Sequence, residues 1–304
     1  MGIFSWGRPR PPEVVLALGG GGARGLAHIG VLKALSRHGI VPRAVVGTSM
    51  GAIVASLYCR FRDANHLETL TRDHLRGPSF GKLGLPPSQR LARYRLDRAV
   101  EHLTKLYLLT TALTRDHLVA EDRIRATLTA LLPDMRIEDL PLPFAAVATD
   151  LELGEPVLLA AGDLRTACRA SASIPGIFPP VHHEGRCLID GCATSLVPVG
   201  EARRFAGDPV VAVDVTQPLV STRTLRTGIE IWMRSERITA FCLHDLHLAQ
   251  ADFVIRVRDL NYAWSAFNAV DELIRAGEES AERAMPALRE VLHRRGRRRL
   301  FGRG

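Results

Sequence analysis

The chain has 304 residues, 46% of them hydrophobic and 24% charged, and carries a formal net charge of +8. That length and composition fit a folded globular protein of one large domain or two small ones, and exclude a disordered or fibrous chain. The positive charge points to an anionic partner, either a lipid surface or a nucleic acid.

No apolar run approaches the ~20 residues a membrane span needs, and the opening MGIFSWGRPRPPE lacks the apolar core of a signal peptide. A myristoylation reading of Met1-Gly2 fails because Trp6 stands where Ser or Thr is required. The five cysteines (Cys59, Cys168, Cys187, Cys192 and Cys242) form no C-x-x-C pair, so neither a disulfide framework nor a structural zinc site is indicated. A cytoplasmic protein with reduced thiols is the expectation.

After an N-terminal tail (1–12), the run VVLAL (14–18) reads as a buried strand and leads into a burst of glycines. GGGARG, from Gly20 to Gly25, satisfies the G-x-G-x-x-G spacing of a dinucleotide loop, and a helix follows from about Arg24. Such a fold also needs an Asp or Glu about 20 residues further on to hold the ribose. Between Val14 and Arg62 there is none.

The next strand, RAVVG (43–47), ends instead in GTSMG, followed by an apolar helix, AIVASLYCRF. At a strand–helix junction G-x-S-x-G reads as a nucleophile elbow: Gly47 and Gly51 leave room for the turn, and Ser49 sits at the positive end of the helix dipole. The glycine loop then has a different anion to serve. Backbone N–H groups of Gly20, Gly21, Gly22 and Ala23 at the head of a helix suit the oxyanion of an acyl-transfer intermediate. Arg24 either binds a lipid phosphate or fixes the loop, and His28 reads as helix packing.

Residues 61–133 interrupt the α/β rhythm with a Gly/Pro-rich loop and a stretch in which Leu96, Val100, Leu103 and Tyr107 fall at helical spacing. This is a helical insertion, packed on the core or capping the site. Further strands follow at FAAVAT (144–149), GEPVLLAAG (154–162), GRCLIDG (185–191), VVAVDV (210–215) and FVIRV (253–257). Strands alternating with helices imply a three-layer α/β/α sandwich around a mostly parallel sheet. Asp150 reads as holding loops, SASIPGIFPP (171–180) as a rigid loop shaping the site, and His182 and His183 as a surface turn. The arginine cluster near the end, LHRRGRRRLFGRG, makes residues 291–304 a basic tail suited to anionic lipid.

The serine needs a base, and the residues alone leave two. Asp214 with His244 or His247 preserves the order Ser, acid, His, although both histidines lie in a helical stretch. Asp190, after an apolar strand and before Gly191, offers a direct Ser–Asp dyad.

Four blocks, GGGGARGLAHIGVLKAL, GTSMGAIVAS, VATDLELGEPVLLAAGDLRTACRASASIPGIFPPV and LIDGCATSLVPV, resemble the patatin-like phospholipase family in order and spacing. They cover residues 13–60 and 140–216, within a domain expected over 13–290. The resemblance implies a serine lipid acyl hydrolase acting on phospholipids, lysophospholipids or related lipids without a metal or organic cofactor. By it Ser49 is the nucleophile, Asp190 the base and the glycine loop the oxyanion hole. Its expected partners are lipid at a membrane surface, with peripheral contact to anionic lipid, and no nucleic acid. Cys192 departs from the Gly or Ala usual after Asp-Gly; cysteine is small enough to pack like alanine.

Overall fold

A computed structural model describes residues 12–85, 117–205, 209–219, 221 and 225–301, with side chains through residue 295. Eight strands form one sheet: β1 (Glu13–Leu18), β2 (Val41–Thr48), β3 (Phe144–Asp150), β4 (Glu155–Leu159), β5 (Val181–His183), β6 (Arg186–Asp190), β7 (Val210–Asp214) and β8 (Phe253–Arg256). β3, β2, β1, β7 and β8 run parallel in that spatial order. β4, β6 and β5 are antiparallel additions beyond β3.

Alternate residues of β1 enter different cores. Val14, Leu16 and Leu18 pack with α1 (Ala27–Arg37), α2 (Met50–Phe61) and α9 (Val270–Phe301). Val15 and Ala17 face the opposite layer, where Val199 and Ala202 of α7 (Val199–Ala202) and Leu248 of α8 (Gly228–Leu248) cover the sheet. A strand buried on both faces must be apolar throughout, which is why these strands read as unbroken Val/Ala/Leu runs. The expected three layers follow directly.

Helices α1 and α9 meet at backbone distance. A Cβ at Gly277 would lie 1.9 Å from the carbonyl oxygen of Ala27, and one at Gly30 would lie 1.9 Å from that of Ile274. Neither obstacle is a side chain that can swing away. Gly277→Ala is therefore expected to push the helices apart and destabilise the fold by about 2 kcal/mol or more, read as a lower Tm, while Gly228→Ala, with open space around its Cβ position, leaves Tm near the parent value.

The described parts of residues 61–133 include the helices α3 (Ala64–Arg76), a short α4 (Pro78–Gly81) and α5 (Glu121–Leu131). Asp63 starts α3 by accepting from the amides of Asn65 and His66. The stripe from Leu96 to Tyr107 lies outside the described residues. Two local expectations change. His182 and His183 belong to β5, paired as a hairpin with β6 rather than forming a turn. The basic C-terminal stretch begins inside α9, whose helix continues to Phe301. No described helix is long and apolar enough to cross a membrane.

Candidate active site

The pairing registers of β3 explain how the site assembles. Ala146 to Asp150 pair with β4 along one edge, so β2 and β6 must share the other. β2 comes up that edge to Thr48 opposite Val147, and β6 comes down it to Asp190 opposite Ala148. Two strands running head-on therefore deliver Ser49 and Asp190 to the same point. Ser49 Oγ donates to Asp190 Oδ2 at 2.6 Å, and both residues are buried.

Between β2 and α2 (Leu164–Ser171 forms α6 further along the chain) the turn places Ser49 at φ 55°, ψ −124°. A non-glycine residue held at positive φ is strained and persists only where its surroundings fix it. Here the surroundings are close-packed backbone: a Cβ at Gly51 would stand 2.2 Å from the Leu18 carbonyl, and one at Gly47 would stand 2.4 Å from that of Gly51. The Ser49 amide donates to Ser171 Oγ at 2.9 Å, and that hydroxyl donates on to the Val147 carbonyl at 2.6 Å. The Asp190 amide donates to the Ser173 carbonyl at 2.9 Å. The segment from Ser171 to Ser173 thus grips both residues, a role its sequence did not reveal.

Asp190 Oδ1 accepts from the Cys192 amide at 2.8 Å, as the cap of the short turn that begins at Gly191. Burial raises the Asp190 pKa above its ordinary value, against the opposing hydrogen bonds from Ser49 and Cys192. A raised carboxylate is a stronger base once ionised. The Cys192 side chain fits: its Sγ occupies the space beside Gly20, and burial pushes its thiol pKa well up.

In the glycine loop the donors divide. The Gly20 amide already donates to the Leu196 carbonyl at 2.9 Å, and the Ala23 amide to that of Trp264 at 2.7 Å. Those two of the four expected donors are engaged in holding the loop. Among the described residues, the amides of Gly21 and Gly22, at the N-terminus of the 3-10 turn Gly22–Leu26, donate to no backbone carbonyl. Arg24 Nε donates to the Gly21 carbonyl at 3.2 Å, so it fixes the loop. Gly25 packs against Met50, the residue after the serine. Below the loop, buried His28 bonds through Nε2 to the Gly19 carbonyl at 2.7 Å, and burial lowers its pKa to about 4. The ring is neutral and structural.

The histidine alternative does not meet the serine. His244 Nε2 lies 3.3 Å from Asp214 Oδ2, and Asp214 also accepts from Thr216. Burial pushes the Asp214 pKa up, but His244 and Thr216 outweigh it and leave the carboxyl below its usual range. The other His244 nitrogen, Nδ1, is buried without a partner, and the Ser49 hydroxyl is bonded to Asp190. His247 is half-buried in the same helix. Asp150, as expected, ties down its own turn through the amides of Glu152 and Leu153. Among the described residues no three His, Cys, Asp or Glu side chains are grouped to hold a metal.

Ser49 lines a cavity walled largely by apolar side chains, including Ile53, Leu57, Leu128, Ile174 and Phe178. The walls come from α2, α5 and the 171–180 loop, so the helical insertion contributes one side.

Residues 16–203, which contain the glycine loop, Ser49 and Asp190, match the family model described as patatin-like phospholipase. The chain belongs to the patatin-like phospholipase family. An uncharacterized NTE family protein of Mycobacterium tuberculosis is 33% identical over 204 residues, 67% of this chain and 49% of the relative. Lysophospholipase nte1 of Aspergillus fumigatus is 32% identical over 203 residues, 66% of this chain and 12% of that protein. The chain thus spans about half the length of the mycobacterial relative. A looser likeness relates it to VipD from Legionella pneumophila, with a TM-score of 0.44 and 13% identity over 94% of this chain and 67% of the other.

Proposed function

We propose that this chain hydrolyses carboxylic esters of lipids with Ser49 as nucleophile and Asp190 as its general base. The observation that carries this reading is the 2.6 Å bond between Ser49 Oγ and Asp190 Oδ2 at the mouth of an apolar cavity. The acyl chain enters the cavity and its carbonyl carbon meets Ser49 Oγ. As the C–O bond forms, the hydroxyl proton passes to Asp190, and the amides of Gly21 and Gly22 receive the developing oxyanion. Collapse expels the alcohol, which takes the proton back from Asp190. Water then attacks the acyl-serine, giving its proton to Asp190, and Ser49 is regenerated with release of the fatty acid.

The apolar cavity at Ser49 suits the acyl chain of a lipid. Together with the relative named as a lysophospholipase, this supports lysophospholipids as substrates. Hydrolysis of a lysophosphatidylcholine series, followed by released fatty acid, tests it; no turnover of any lipid ester would refute it.

The pH dependence has a definite sign. Only ionised Asp190 can accept the proton, so kcat/KM falls as pH drops through its pKa. Because burial raises that pKa, the acid limb is expected at higher pH than a solvated aspartate would give. A pH–rate profile with p-nitrophenyl butyrate checks this.

A further inference from the structure

Helix α8 is built inside out. Its 21 residues leave only His244 and Leu248 fully buried, while Ile229, Ile231, Trp232, Met233, Ile238, Leu243 and Leu246 are exposed. Trp232 is 60% and Leu246 66% exposed. A helix resting on its own core turns such residues inward. This one is held at the N-terminus by a capping box, Thr227 with Glu230, and near its other end by His244 against Asp214 and Thr216.

Its position matters as much as its composition. His244 is level with Asp214, at the C-terminal end of β7, and Leu248 packs deeper against the sheet. Residues 228–243, roughly 24 Å of helix, therefore lie on the side of His244 away from Leu248. In a parallel sheet the C-terminal end of β7 is also the end that carries the glycine loop and Ser49. Arg237 of α8 comes near the loop: burial first, and Arg237 next, lower the Arg24 pKa. A second apolar feature leaves the same end. Leu151 and Leu153, in the turn after β3, are 55% and 66% exposed.

We propose that the exposed face of α8, with Leu151 and Leu153, is a docking surface for a lipid bilayer at the end of the sheet that carries Ser49. The choice of lipid rests on the hydrolase reading above and on the shared edge: a lipid ester must leave a bilayer to reach Ser49, and the apolar groups project where it would leave. Bulky apolar residues with a tryptophan among them suit the headgroup boundary. The helix carries Arg234 and Arg237 against Glu230, Glu236 and Asp245. Its binding is therefore apolar and insensitive to salt, unlike a contact made by the basic C-terminal stretch.

The test uses flotation of the full chain with phosphatidylcholine vesicles containing phosphatidylglycerol, at low and high salt. The Ile231→Gln/Trp232→Gln/Leu246→Gln variant should bind about tenfold or more weakly, and Leu151→Gln/Leu153→Gln should bind more weakly too. Part of the parent's binding should survive high salt, and that part should be what the variants lose. Cleavage of soluble p-nitrophenyl butyrate should be unchanged in both. Equal flotation of parent and variants, or no flotation of the parent, overturns the proposal. So does a parent dimer, seen by light scattering, that the triple variant dissociates without loss of vesicle binding; a second copy would then cover the helix. A parent that floats yet cleaves no soluble ester would refute the hydrolase reading and leave the docking surface standing.

Discussion

Replacing Ser49 by alanine is expected to lower kcat for p-nitrophenyl butyrate by about four orders of magnitude or more. Ser49 Oγ is the hydroxyl that bonds Asp190 at the cavity mouth, and nothing else offered there replaces it. Ser171 Oγ is occupied, accepting from the Ser49 amide and donating to the Val147 carbonyl. The backbone turn is fixed by the packing of Gly47 and Gly51 rather than by the hydroxyl. Alanine should therefore preserve the fold, and a cooperative thermal transition retained beside lost turnover separates loss of chemistry from loss of structure.

Asp190→Asn is expected to cost about three orders of magnitude or more in kcat/KM. The change keeps the shape and removes the base. The Cys192 amide donates to Oδ1, so in the variant the amide oxygen stays there and the NH2 group turns toward Ser49. A donor then faces the hydroxyl that needs an acceptor. Stability should move the other way. Burial raises the Asp190 pKa, so keeping it ionised opposes folding increasingly as pH rises above the pKa of the unfolded chain. The asparagine variant escapes that penalty. It should be at least as stable as the parent at neutral pH and lose this advantage toward acid. A dead enzyme with an equal or higher Tm is a result misfolding would not give.

Much of this was legible in the sequence, for identifiable reasons. Strands buried on both faces are unbroken apolar runs, so β1, β2, β3, β7 and β8 stood out within a residue or two of their observed limits. β5 did not, because His182 and His183 at the sheet's end carry no apolar signal. Ser49 was legible because its glycines are demanded locally, between one strand and the next helix. The proposed base was not: Ser49 and Asp190 are 141 positions apart, and their meeting depends on β6 running head-on into β2 beside β3. Only the family resemblance favoured Asp190 over Asp214 and the histidines. The glycine loop was legible as a donor-rich turn, but composition cannot say which amides a turn consumes. Gly20 and Ala23 turned out to hold the loop to the carbonyls of Leu196 and Trp264. The grip of Ser171 and Ser173 works partly through a backbone carbonyl, which any residue could supply.

In the proposed mechanism Asp190 alone activates Ser49, without a histidine. Labelling by a fluorophosphonate probe reads that activation at the serine itself, before any question of lipid preference. Rates should be measured for the parent, Asp190→Asn, His244→Ala and His247→Ala, with the modified residue located by mass spectrometry. Modification of Ser49 is expected at similar rates in the parent and both histidine variants, with labelling slowed about a hundredfold or more in Asp190→Asn. A histidine variant as slow as Asp190→Asn, or a label on another residue, would contradict that mechanism.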